Sequence, residues 1–163
     1  MPRLFVPVSV FVFLQLAALA AIAQSGQLSA RTCPTTDDQN NCVRILACIG
    51  QQGNWFNGRA YGRGKGALLG VTSDGAQCTG VWTSRNAVGL GQAMVQCDDG
   101  MRVTVLYTYQ DEYTGTAIGR GVSNRGEIVR AWSGLNVLDY LRDPESASPE
   151  VSLPCGPVDI PIS

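Results

Sequence analysis

Along residues 101–109 apolar and polar positions alternate: Val103, Val105, Tyr107 and Tyr109 share one face, and Arg102, Thr104, Leu106 and Thr108 share the other. A period of two belongs to a strand with one buried side. Runs of the same kind occupy 67–72, 76–83, 91–97, 114–122 and 127–132. Asp74-Gly75, Asp99-Gly100 and Asn124-Arg125-Gly126 join them in pairs. Asp-Gly between two such runs is a hairpin signal, because Gly accepts the positive φ of a primed turn. The pattern predicts a mainly all-β fold, an antiparallel meander of about six strands.

The meander repeats itself about every 25 residues. Gly64-Lys65-Gly66 recurs as Gly89-Leu90-Gly91, Asp74-Gly75 as Asp99-Gly100, and Trp82 as Tyr107 and then Trp132. A weaker third copy starting at Gly115 is offset by 26, which implies one added residue near 110–114. A period of this length marks a repeated supersecondary unit. Trp55, Trp82, Tyr107 and Trp132 hold corresponding places and are expected to stack as a core ladder, with an exposed aromatic stripe as the alternative. Seventeen of the 19 glycines lie between Gly50 and Gly134, many inside strands, where they permit tight bends and close backbone approach.

Two flanking segments change period. In 41–49, Val43, Leu46 and Ile49 fall at helical spacing, and Asn40 or Asn41 could cap the first turn. In 134–142, Leu135, Leu138 and Leu141, or Val137 and Leu141, do the same, and Asp143-Pro144 ends the run. One or two short helices are therefore expected beside the sheet. The stretch 144–163 carries five prolines and reads as an extended tail.

The amino terminus alters the context of all this. Met1-Pro2-Arg3, a long apolar run to Ala23, and small residues at Ala21 and Ala23 have the layout of a secretory leader cleaved before Gln24. The expected organisation is a signal peptide at 1–23, a Cys-containing segment at 24–54, a repeat domain at 55–142 and a tail at 143–163. The protein would then act outside the cytoplasm, in the periplasm or the medium. Six cysteines (Cys33, Cys42, Cys48, Cys78, Cys97 and Cys155) suit three disulfides in an exported chain. A hairpin around 84–88 would set Cys78 opposite Cys97. One of Cys33, Cys42 and Cys48 would tether the tail through Cys155, with the pairing left open.

Charge and chemistry narrow the function by exclusion. Without Arg3 the chain has 11 basic residues against 13 acidic ones and no basic cluster, so the footprint of a nucleic-acid binder is missing. There is no His and no C-x-x-C, which argues against a zinc, haem or thioredoxin-like site and removes most nucleophilic triads. No cofactor is called for. Asp98/Asp99 and Asp111/Glu112 are the paired carboxylates. Neighbours in a strand point to opposite faces, so they make poor dyads and are better read as turn residues. Gly62-Arg63-Gly64-Lys65-Gly66 lacks the ending and context of a phosphate loop.

Trp55-x-x-Gly58-x-x-x-Gly62-x-Gly64, and Cys78-x-Gly80-x-Trp82 followed by Gly89-Leu90-Gly91, resemble the MORN repeat. The family usually has an aromatic where Cys78 stands and a Gly where Arg85 stands. The resemblance covers roughly 55–132 and implies a β meander that binds proteins or membranes. Cys78-x-Gly80, Gly89-x-Gly91 and Cys97-Asp98-Asp99-Gly100 are also similar to small exported proteobacterial proteins, which imply no function. The expected protein is an exported, non-enzymatic binding or structural module whose partner is a protein, a glycan or a membrane surface. Tyr107, Tyr109, Tyr113, Trp132, Arg102 and Arg120 are its candidate binding residues, with Tyr140 and Arg130 beside them. The alternative is a small hydrolase using Asp111, Glu112 or Asp99.

Overall fold

The computed structural model describes residues 42–142, 151–157 and 159–162; the expected leader and Cys33 lie outside them. Eight antiparallel strands form a closed barrel, each paired to the next and the last to the first. They are β1 (Cys42–Ile49), β2 (Asn54–Gly62), β3 (Lys65–Thr72), β4 (Gln77–Thr83), β5 (Gly91–Cys97), β6 (Arg102–Gln110), β7 (Ala117–Ser123) and β8 (Ile128–Gly134). A one-turn helix, α1 (Val137–Leu141), and a hairpin of β9 (Val151–Leu153) and β10 (Ile160–Ile162) follow. Among the described residues the fold is thus all-β with a single short helix. The six-strand meander is corrected to a closed barrel of eight, and closure leaves that sheet no unpaired edge.

The two strands beyond the expected six are β1 and β2. Residues 41–49, expected to be a helix, form β1 instead. The reason is burial on both faces. Val43, Ile45, Ala47 and Ile49 point into the barrel, while Leu46 and Cys48 point outward into a second apolar cluster. A strand covered on both sides loses its alternation, and its apolar positions then fit a helical period equally well. β2 was hidden by its polar outer residues and by Gly58 and Gly62.

The second cluster sits on the outer face of β1 and β8. Leu46, Cys48 and Trp132 are covered there by Val137 of α1 and by Leu153 and Cys155 of the tail. The Cys48–Cys155 disulfide and the bond from the Gly53 amide to the Cys155 carbonyl (2.9 Å) fasten the tail to the barrel. The tail, read from sequence as extended, is in its described part a two-stranded hairpin. Cys78 and Cys97 are direct cross-strand partners and are disulfide-bonded. Cys42 is also disulfide-bonded, to a partner outside the described residues.

Three hairpins are built alike at one end of the barrel. The Gly75, Gly100 and Gly126 amides donate to the carbonyls of Thr72, Cys97 and Ser123, and the amides of those three residues donate to Ala76, Met101 and Glu127. Each loop is three residues long and closes on a glycine with φ between +81° and +92°. This is one residue more than a primed two-residue turn, and only the glycine need be left-handed. The sequence period and the repeated hairpin coincide here.

Candidate ligand cavity in the barrel mouth

The same repeat explains the opposite end. Gly66 faces Trp82, Gly91 faces Tyr107, and Ala117 faces Ser133. The first step along this series is 25 residues and the second is 26. The extra residue is a bulge in β6, where the register shifts between Tyr107 and Tyr109. Trp132 is therefore not the third copy's counterpart of Trp82 and Tyr107. That place belongs to Ser133, and Trp132 is turned to the outer cluster. The expected aromatic ladder of four is corrected: Trp82 and Tyr107 pack against the inner core, while Trp55 and Trp132 belong to the outer cluster.

A missing aromatic leaves room. A cavity of about 410 Å³ lies between Ser133 and the two inward aromatics, and the loop 84–90 and the end of β6 at Tyr109 and Gln110 contribute to its lining. Ala60, Ala93 and Ala117 widen its wall, and Val43, Ile45 and Leu90 make it apolar. Thr83, Ser84, Gln92, Gln110 and Ser133 supply scattered polar groups. No Asp, Glu, Lys or Arg lines it among the described residues. The interior below is packed. Phe56, Leu68, Met101, Val103 and Val129 surround a gap of only about 30 Å³ there.

Tyr107 stands on the boundary and lines both spaces. Its cross-strand neighbours are Gly91 and Gly119. A Cβ on Gly119 would lie 2.9 Å from Tyr107 Cδ1, and one on Gly91 3.0 Å from Tyr107 Cβ, so the two glycines form the slot that admits the ring. Burial pushes the Tyr107 hydroxyl pKa well above the usual phenol range, keeping it neutral. Trp82 is held by its indole N–H, which donates to the Tyr61 carbonyl (2.9 Å).

The rim is braced by its own side chains. Asn86 Oδ1 accepts from the Val88 and Leu90 amides (3.0 Å each), closing the 84–90 loop. Asp111 Oδ2 accepts from the amide and hydroxyl of Thr114 (2.7 Å each), and these bonds hold its carboxyl below the usual range. Asp111 is thus a turn residue. Asp99 braces a turn at the other end, accepting from the Met101 amide and pairing with Arg125 at 2.9 Å. Neither carboxylate faces the cavity, Glu112 is exposed, and the acids of the hydrolase alternative are not brought together.

Of the binding residues expected from sequence, only Tyr107 and Tyr109 share a site. Tyr109 lines the rim at 59% exposure. Tyr113 is 97% exposed on the 111–116 loop. Arg102 and Arg120 are exposed, and Arg120 sits opposite Arg130 on the outer wall. Arg130 lies over the Trp132 ring (5.9 Å) and donates to the Pro154 carbonyl, so this cation belongs to the tail's seat. Trp82, Ser133 and the two slot glycines were missed. The 26-residue offset of the third copy was the signal that could have found Ser133.

No family model and no curated protein matches the chain. Solved structures similar to it include a redesigned β-barrel, mFAP0, bound to DFHBI, at 14% identity and TM-score 0.44, covering 57% of this chain and 94% of that one. A de novo designed fluorescence-activating β-barrel is similar at 16% identity and TM-score 0.45, covering 57% of this chain and 89% of that one.

Proposed function

We propose that this protein is an exported, non-enzymatic binding module that holds one small, uncharged, largely apolar molecule in the mouth of its barrel. The observation that carries the reading is the cavity of about 410 Å³ above a packed floor. An eight-stranded barrel is wide enough either to fill itself with side chains or to hold one small ligand, and this one does each at a different end. The volume is within the range of small-molecule sites, and an apolar wall with a few polar groups is their usual lining. Disulfides, with a leader-like first 23 residues, support a site of action outside the cytoplasm.

The test is titration of the native protein with N-phenyl-1-naphthylamine, a neutral probe that fluoresces on leaving water. One saturable site with Kd on the order of micromolar is expected. Ser133→Phe, which restores an aromatic at the third repeat position, should abolish it in a folded protein. No saturable binding, or equal binding by Ser133→Phe, overturns the reading.

A second reading, docking on a protein or membrane, rests on the outer wall. Val81 pairs with Met94, Met94 with Thr104, Thr104 with Val122 and Val122 with Ile128, a row in which the four apolar side chains are each about half exposed. This is the feature that would serve the partners implied by the MORN resemblance. Val122→Asp with Ile128→Asp should release the protein from such a partner or from vesicles and leave the naphthylamine site intact.

A further inference from the structure

Tyr107 is part-buried and lines the cavity, and its hydroxyl makes no hydrogen bond to the described residues. Its Gly91 and Gly119 neighbours hold the ring in one slot, and the surface it retains faces the cavity. A hydroxyl with no protein partner is left to donate to a ligand's acceptor once the ligand displaces water from the cavity. Beneath it the floor, lined by Val105 and Met101, leaves a gap of only about 30 Å³. Two of the other polar side chains of the cavity are already engaged. Gln110 is engaged with the Gly115 carbonyl (3.3 Å) and Gln92 with Asn86 (3.4 Å).

Resting on the small-ligand reading above, we propose that the cavity selects a neutral molecule with a carbonyl or ether oxygen at its inner end, and that Tyr107 donates the hydrogen bond to that oxygen. A carboxylate of the same shape would be rejected. Among the described residues no cation lines the cavity to pair with it, and a lone neutral donor does not repay the loss of its hydration. A plain hydrocarbon would bind, but without the bond that orients it. The phenol's raised pKa means that it remains a donor throughout the neutral and mildly alkaline range.

Three probes of one skeleton test this: 2-acetylnaphthalene, 2-ethylnaphthalene and 2-naphthoate, titrated into the native full chain and into Tyr107→Phe. The ketone should bind about 3- to 10-fold tighter than the hydrocarbon, the worth of one buried hydrogen bond, and the carboxylate least. In Tyr107→Phe the ketone should weaken to the level of the hydrocarbon, whose own affinity stays put. The bound ketone's carbonyl stretch should lie lower in the native protein than in the variant. Equal ketone and hydrocarbon binding, an unshifted stretch, or tightest binding of the carboxylate overturns the inference and leaves the small-ligand reading standing. Binding of none of the three overturns both. Near-ultraviolet circular dichroism of Tyr107→Phe and a second substitution, Tyr107→Leu, separate loss of the hydroxyl from loss of the fold.

Discussion

The two ends of the barrel are made from the same hairpin unit and reach opposite results. At the turn end, Phe56 lies over Gly58 and Gly70, where any Cβ would come within 2.5 Å of its ring, and Met101 and the Cys78–Cys97 bridge join the inner core. At the loop end, alanines and Ser133 occupy the corresponding inward places, and space remains. The difference teaches that close packing and open space are spatially divided. Burial and a covalent bridge at one end let the other be hollow.

The sharpest way to break this contrast is to hollow the packed end. Phe56→Ala removes a ring that two glycines were shaped to receive. It should destabilise the protein by about 3–5 kcal/mol in a denaturant titration, whereas Ser133→Ala at the open end should change stability by less than about 0.5 kcal/mol. Replacing both Cys78 and Cys97 with Ala removes a cross-link closing a loop of about 20 residues, and should cost about 3 kcal/mol in the same assay. Gly119→Val probes the boundary. Its Cβ alone would meet Val105 Cγ1 at 2.7 Å and the Leu106 carbonyl at 2.9 Å. It should cost about 1–3 kcal/mol and displace Tyr107, weakening probe binding as well.

The smallest effect concerns the rim. Asp111 has a folded-state pKa lowered by its bonds to Thr114. Its contribution is therefore present above the unfolded pKa, roughly 3.9, and is lost as pH falls through the depressed folded value. Asp111→Asn should lower the melting temperature slightly at pH 6 and make no difference once the wild-type carboxyl is protonated in strong acid. Any change in turnover of a substrate on this substitution would instead revive a catalytic role.

Six of the eight barrel strands are legible as alternation punctuated by Asp-Gly or Arg-Gly, because a sheet with one buried face writes its period into the chain. β1 is not, because the tail and α1 bury its outer face as the barrel buries its inner one. Tyr107 was legible as a repeat aromatic and Tyr109 as its neighbour. Ser133 was not, since a small polar residue announces nothing until its register is known. Arg102, Arg120 and Tyr113 were drawn in by residue type alone, and strand parity and loop position then scatter them over the exterior.

The sequence by itself determined the β character, the repeated hairpins, the Cys78–Cys97 opposition and the absence of histidine chemistry. These depend on local periodicity and composition. The tertiary structure decided closure of the sheet, the tail's tether to Cys48 and the position of the cavity. Each of those depends on pairing between distant residues, and on the register of β8, whose alternation sets Ala131 and Ser133 inward and Trp132 outward.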